Sequence, residues 1–174
     1  MTDTDWRHLL SENDRAVLAR GQWAQRAGYG QRPALIIVDA QNYMTGVPGA
    51  ADNAEKFPLS CGAAGFAAVE RIAELQAACR ASGVPVFQTR FIVNPHADDC
   101  GMFHRKVGVG AGRSENLYFA GTFGAEIVEA LKPRQDEIVL DKKKKSAFYG
   151  TPLLSLLIDA RVDTCIIVGG STSN

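Results

Sequence analysis

The sequence predicts an α/β protein with a three-layer α/β/α, doubly wound and mainly parallel sheet. Three observations predict it. The strand-like runs "PALIIVDAQN", "VPVFQTRFI", "EIVLD" and "DTCIIVGG" are apolar along most of their length, as strands covered on both faces must be. Helix-like stretches separate them, which calls for right-handed crossovers rather than hairpins. Residues able to do chemistry then collect at the carboxyl ends of those strands, where open α/β sheets keep their sites.

Taken in order, residues 1–32 are polar and mixed, with weak helical periodicity across "DWRHLLSENDRAVLARGQWAQRAGY". They read as an N-terminal arm that packs on the body or on a neighbouring subunit, leaving one domain over 33–174. Pro33 enters the first strand, Ala34 to Val38 run apolar and Asp39 stops the run. "GAAGFAAVERIAELQAACRASG" reads as a helix closed by Gly83. "VPVFQTRFI" is the second strand, and residues 94–121 form a long Gly-rich loop of the length that usually carries function. "FGAEIVEALK" reads as a short helix and "EIVLD" as the third strand. "TPLLSLLIDAR" reads as a helix with Thr151 as N-cap and Pro152 at its first position. "DTCIIVGG" is the fourth strand, followed by "STSN". That ending has the composition of a loop feeding a helix, so the expectation is that the 174 residues stop short of the next helix.

Nineteen basic and nineteen acidic residues cancel, which removes any global field for nucleic acid or an anionic membrane. No apolar run reaches the roughly 18–20 residues of a bilayer span and the N-terminus lacks an apolar signal core, so a cytoplasmic protein is expected. The four cysteines, Cys61, Cys79, Cys100 and Cys165, form no metal-like pair and are expected as free thiols. Cys165, in mid-strand, and Cys79, on a helix face, read as small core hydrophobes. Cys61 precedes or opens a helix, and Cys100 reads as the exposed thiol.

Asp39 ends an apolar strand, where a carboxylate is costly to ionise unless paired. A cap on the following loop is the plainer reading. Gln41 can hold that carboxylate or a substrate amide. Lys143 to Lys145 read as a solvated basic run, but Lys142 directly follows a strand and can point into the strand-end cleft. An ammonium there favours a neighbouring carboxylate or thiolate. Asp39 and Lys142 become a catalytic device once a thiol joins them, with backbone N–H groups holding an oxyanion. None of the four cysteines fits that part. The long loop supplies Arg105, Lys106 and Arg113 as candidate partners for a substrate carboxylate. His96 and His104 lie in the same loop without a ligand-like spacing, so neither a metal nor a cofactor is predicted. "ENLYFAG" (115–121) is similar to a protease-tag sequence, but its internal position makes it native loop.

Together "PALIIVDAQN", "GVPVFQTR", "KKKKSAFYGTPL" and "VDTCIIVGGSTSN" resemble the isochorismatase-like cysteine hydrolase superfamily. "AGYGQRPAL", the long loop and "SAFYGT" bring the chain closest to the N-carbamoylsarcosine and maleamate amidohydrolase branch. The resemblance covers about residues 25–174. It implies an Asp–Lys–Cys triad of Asp39, Lys142 and a cysteine directly after Asn174. It also implies a cis Gly170–Ser171 peptide with the Ser171 N–H as an oxyanion donor. Phe148, in "SAFYGT", joins Gln41 and Arg113 as a candidate substrate contact. Met44 departs from the Phe common in the family's "DxQNxF" motif, and the metal-binding histidines of nicotinamidase relatives are absent.

The activity this resemblance implies is hydrolysis of a small linear amide or N-carbamoyl acid with release of ammonia, by a homo-oligomer, dimer or tetramer. Two alternatives stand beside it. One is an isochorismatase-type vinyl-ether hydrolase, whose members tend to lack the cysteine. The other is a non-catalytic binding protein of the same fold, for instance a phosphate binder using "GGSTSN". No GxGxxG or P-loop pattern supports the latter.

Overall fold

The structure, a computed structural model, describes residues 6–22, 28–94, 98–102 and 117–171. Four parallel strands build one sheet: β1 (Pro33–Val38), β2 (Val86–Phe91), β3 (Ile138–Lys142) and β4 (Thr164–Gly169), in the order β3-β2-β1-β4. β1 sits between β2 and β4, with Leu35 opposite Val86 and Ile166. Its residues Ala34 to Ile37 are almost wholly shielded from solvent, which is why the strand is apolar at consecutive positions rather than alternate ones.

Before the sheet comes helix α1 (Glu12–Gly21), capped by the Ser11 hydroxyl on the Asp14 amide; none of its residues is buried. After β1 the chain makes short helices α2 (Asn42–Thr45) and α3 (Asn53–Lys56), then the long α4 (Gly62–Ala81). α4 buries Ile72, Gln76 and Cys79, a one-sided stripe at helical spacing. Gly83, at φ +69°, supplies the left-handed turn that ends it. α5 (Leu153–Asp159) covers the opposite face.

The two sheet faces therefore carry separate cores. Leu35, Ile37 and Val86 pack with Ile72 and Cys79 of α4 and with Leu131. Ala34, Ile36, Phe87 and Leu140 pack with Leu153 and Leu157 of α5. A fully buried Leu or Ile in either core stabilises the fold by about 1.5–3 kcal/mol relative to exposure.

Several expectations are corrected. The segment expected as a helix over "FGAEIVEALK" is two isolated 3-10 turns, Phe123–Ala125 and Glu129–Leu131. Between them the backbone is drawn out: Ile127 pairs with Gln41 in an antiparallel bridge, the Asn42 amide donates to Glu126, and the Val128 amide donates to Ala40. Pairing to the end of β1 thus outweighs local helix propensity. α5 begins one residue later than expected, with Pro152 as its N-cap residue, while the Thr151 hydroxyl still accepts from the Leu153 amide.

The cysteines also change places. Cys165 is exposed among the described residues: β4 ends the four-strand order, and no described element covers the side of it that Cys165 shares with Ile167. Cys100 is buried instead, among Tyr43, Phe91, Val93 and Tyr118. Cys79 is buried and Cys61, at the N-terminus of α4, is exposed. Leu117, Tyr118 and Phe119 of "ENLYFAG" are all buried in the core, while Ala120 and Gly121 are exposed. No described helix is long and apolar enough to cross a membrane.

Candidate active site

Strand alternation decides which side chains meet at the carboxyl end of the sheet. Thr89 and Lys142 share the parity of Phe87 and Leu140, hence the α5 side; Arg90 and Asp141 take the other side. The second pair closes on itself, with Arg90 Nε 2.7 Å from Asp141 Oδ1 and Nη2 3.0 Å from Oδ2, and with Glu126 at 3.2 Å. It braces β2 against β3, and its charges are already matched.

On the first side, Asp39 follows β1 at φ +51°, a left-handed conformation that Asp tolerates better than most residues. Its amide donates to the Thr89 carbonyl at 3.1 Å, and the Gln41 amide donates back to the Asp39 carbonyl at 2.8 Å. The carboxylate is nearly buried and doubly engaged. Asp39 Oδ2 lies 2.7 Å from Lys142 Nζ, with the two side chains 11% and 3% exposed. Asp39 Oδ1 accepts the Thr89 hydroxyl at 2.7 Å. Lys142 is the last residue of β3 rather than the residue after it. Its ammonium also donates to the Lys144 carbonyl at 3.1 Å and lies over the Phe91 ring, 5.1 Å from the centroid. Two desolvated opposite charges are stable only when their remaining hydrogen-bonding capacity is met in this way.

The β4 end closes against the same corner. Gly169 pairs with Val38, and the Gly170 amide donates to the Val38 carbonyl at 3.2 Å. A Cβ on Gly169 would lie 2.0 Å from the Val38 carbonyl oxygen, and the residue holds φ +129°, so only glycine fits. A Cβ on Gly170 would meet Met44 Cε at 2.9 Å. The Gly170–Ser171 peptide is cis. The Gly169 pairing and the Gly170 hydrogen bond bring the backbone at the end of β4 beside Val38, the residue preceding Asp39.

Gln41 sits differently from its expected place at a substrate. It is fully buried; its Nε2 donates to the Phe91 and Ala125 carbonyls at 3.1 and 2.8 Å, and its Oε1 accepts the Phe91 amide at 2.7 Å. Both amide protons and Oε1 are engaged in tying β1, β2 and the 123–128 segment together, and full burial keeps the side chain from a ligand. Phe148 stands half-exposed in the turn after β3. Lys143 is not simply solvated but pairs with Asp99 at 2.8 Å. Arg105, Lys106, Arg113, His96 and His104 lie outside the described residues, as do Thr172 to Asn174. Among the described residues no cluster of three or more His, Cys, Asp or Glu is arranged to hold a metal ion.

Three participants were not singled out by the sequence. Thr89 and Phe91 are ordinary strand residues in "FQTRF", and only the pairing register puts them next to Asp39 and Lys142. Tyr43, buried in α2, meets Tyr118 edge-on at 5.2 Å; burial, reinforced by the Asp39 charge, pushes its phenol well above the usual range. A cleft of about 690 Å³ lies on the α4 side, walled by residues such as Phe66, Val69, Phe123 and Val128. Neither Asp39 nor Lys142 lines it, so it is distinct from this corner.

The model of the Isochorismatase domain matches residues 33–174. The chain belongs to the isochorismatase family. Among relatives, it is 38% identical over 156 residues to the maleamate amidohydrolase of Pseudomonas putida, covering 88% of this chain and 66% of that protein. It is 32% identical over 154 residues to the N-carbamoylsarcosine amidase of an Arthrobacter species, covering 86% and 53%. The chain thus spans about two thirds of the one relative and about half of the other. An isochorismatase family protein from Desulfovibrio vulgaris superposes with a TM-score of 0.66 at 34% identity, covering 81% of this chain and 68% of that structure.

Proposed function

We propose that the chain carries the Asp–Lys part of a cysteine-dependent amidohydrolase acting on a small linear amide or N-carbamoyl acid. The observation that carries this reading is the buried 2.7 Å contact between Lys142 and Asp39, reaching across β2 from the ends of β3 and β1, beside the Gly169–Ser171 backbone. The names of the relatives support amide chemistry: maleamate amidohydrolase and N-carbamoylsarcosine amidase.

In the proposed mechanism the nucleophile is a cysteine following Asn174 in the complete gene product. Its thiol proton passes to Asp39 as the sulfur attacks the amide carbonyl, and the oxyanion is held by backbone donors including the Ser171 N–H. Collapse of the tetrahedral adduct breaks the C–N bond, and Asp39 returns the proton to the departing nitrogen, releasing ammonia. Water, deprotonated by Asp39, then cleaves the thioester, which regenerates the thiol and yields the acid. An N-carbamoyl substrate gives a carbamic acid that loses carbon dioxide to leave the amine. Lys142 stabilises negative charge on sulfur and carboxylate throughout. Thr89 holds Asp39 in place.

The test is ammonia release by the complete gene product from maleamate, N-carbamoylsarcosine and related acyclic amides. Release from at least one of them, and its loss on Lys142→Ala, is expected. A Lys142→Ala variant that turns over at the wild-type rate overturns the assignment.

A further inference from the structure

We propose that Phe91 is a positioning residue for the reaction, its ring face holding the Lys142 ammonium against the Asp39 carboxylate. The inference rests on the reading of Lys142 as part of the amidohydrolase machinery. Lysine has four rotatable side-chain bonds and an ammonium that favours water, yet here the side chain is only 3% exposed. Two hydrogen bonds, to Asp39 Oδ2 at 2.7 Å and to the Lys144 carbonyl at 3.1 Å, leave the third ammonium proton without either of those acceptors. The Phe91 ring, 5.1 Å from Nζ to centroid, gives the cation a negative π face in a place where water is excluded. Such contacts are strongest when desolvated.

The ring is in turn held rigidly. Phe91 is the strand partner of Lys142 in the β2–β3 register. Gln41 clamps its main chain through both N–H and C=O. Tyr118 packs edge-on against its ring at 4.8 Å and 67°, and Tyr43 packs edge-on against Tyr118 at 5.2 Å and 79°. A ring that only filled space would need none of this alignment with the cation. The cluster containing Phe91, Tyr118 and Tyr43 therefore continues the catalytic corner into the core.

The experiment replaces Phe91 in the complete gene product by mono-, di- and trifluorinated phenylalanine, which keep the ring's shape and progressively drain its negative face. With N-carbamoylsarcosine and maleamate as substrates, kcat should fall stepwise with each fluorine, reaching about a tenfold loss at three, while KM stays constant. A flat series overturns the proposal. A second measurement needs no turnover. The Lys142 ε-methylene protons, assigned by their loss in Lys142→Arg, should resonate upfield from the ring current and return to ordinary positions in Phe91→Leu. Ordinary shifts in the unsubstituted protein overturn the proposal even where catalysis is intact. Upfield shifts in a protein that releases no ammonia from any amide would instead count against the amidohydrolase reading alone.

Discussion

Both ends of the Gln41 amide are taken by main-chain groups, the Phe91 amide and carbonyl and the Ala125 carbonyl. Gln41→Ala should therefore act on stability before it acts on any ligand. Removing the side chain that bonds three buried main-chain groups should lower the unfolding free energy by about 3 kcal/mol, read by urea denaturation. Gly169→Ala should be worse, because its methyl would overlap the Val38 carbonyl at a φ that L-residues avoid; loss of soluble folded protein is the expected outcome, measured by circular dichroism. At this scale the sequence was informative where a charged residue coincided with a strand end, as at Asp39 and Lys142, which the structure brings together. It was silent on Thr89 and Phe91, because a Thr or a Phe in a strand looks the same whether it faces a core or a carboxylate. It misled on Cys100, whose burial depends on which loop folds inward and is not a local property, and Cys165 is exposed because no described element covers its side of β4.

Strands and α4 were legible because their apolar patterns reflect burial on two faces and on one, respectively. The 123–132 segment was not, because its hydrogen bonds go to Ala40, Gln41 and Asn42, some eighty residues earlier in the chain. Elements are also joined by a second shielded ion pair besides Lys142–Asp39: Arg80, near the end of α4, grips Glu137, before β3, through Nε–Oε1 and Nη2–Oε2 contacts of 2.7 Å each. The Arg80 guanidinium holds the Glu137 carboxyl below the usual range, against the opposing pull of its burial, with the Arg134 amide adding to the effect. A lowered folded-state value means stability that is present above the ordinary Glu titration and is lost as the pH falls through the lowered one. Glu137→Gln should cost about 2 kcal/mol at neutral pH, and the gap to the parent protein should close below about pH 4. Urea midpoints at a series of pH values check this.

Over the whole molecule, the central position of β1 and β2, with cores on both faces, implies a gradient of local stability. Amide hydrogen exchange should be slowest in β1 and β2. It should be fastest in α1, a ten-residue helix without a buried residue, which is marginal on its own. Protection of α1 equal to that of β1 would show that the arm is docked more firmly than its exposure allows. The sheet is parallel throughout with a core on each face, as the doubly apolar strand runs require, so fold class was the most legible feature of all. The substrate is the least legible, since the stretch from 94 to 121 carries few patterned residues.

The most direct test of the account is the turnover of an Asp39→Asn variant of the complete gene product, assayed as ammonia release from maleamate and N-carbamoylsarcosine. The substitution keeps the size of the side chain and its bond to Thr89 but removes the base. The account predicts a loss of kcat of at least about a hundredfold with substrate binding retained. Turnover within a few-fold of the parent enzyme would contradict it.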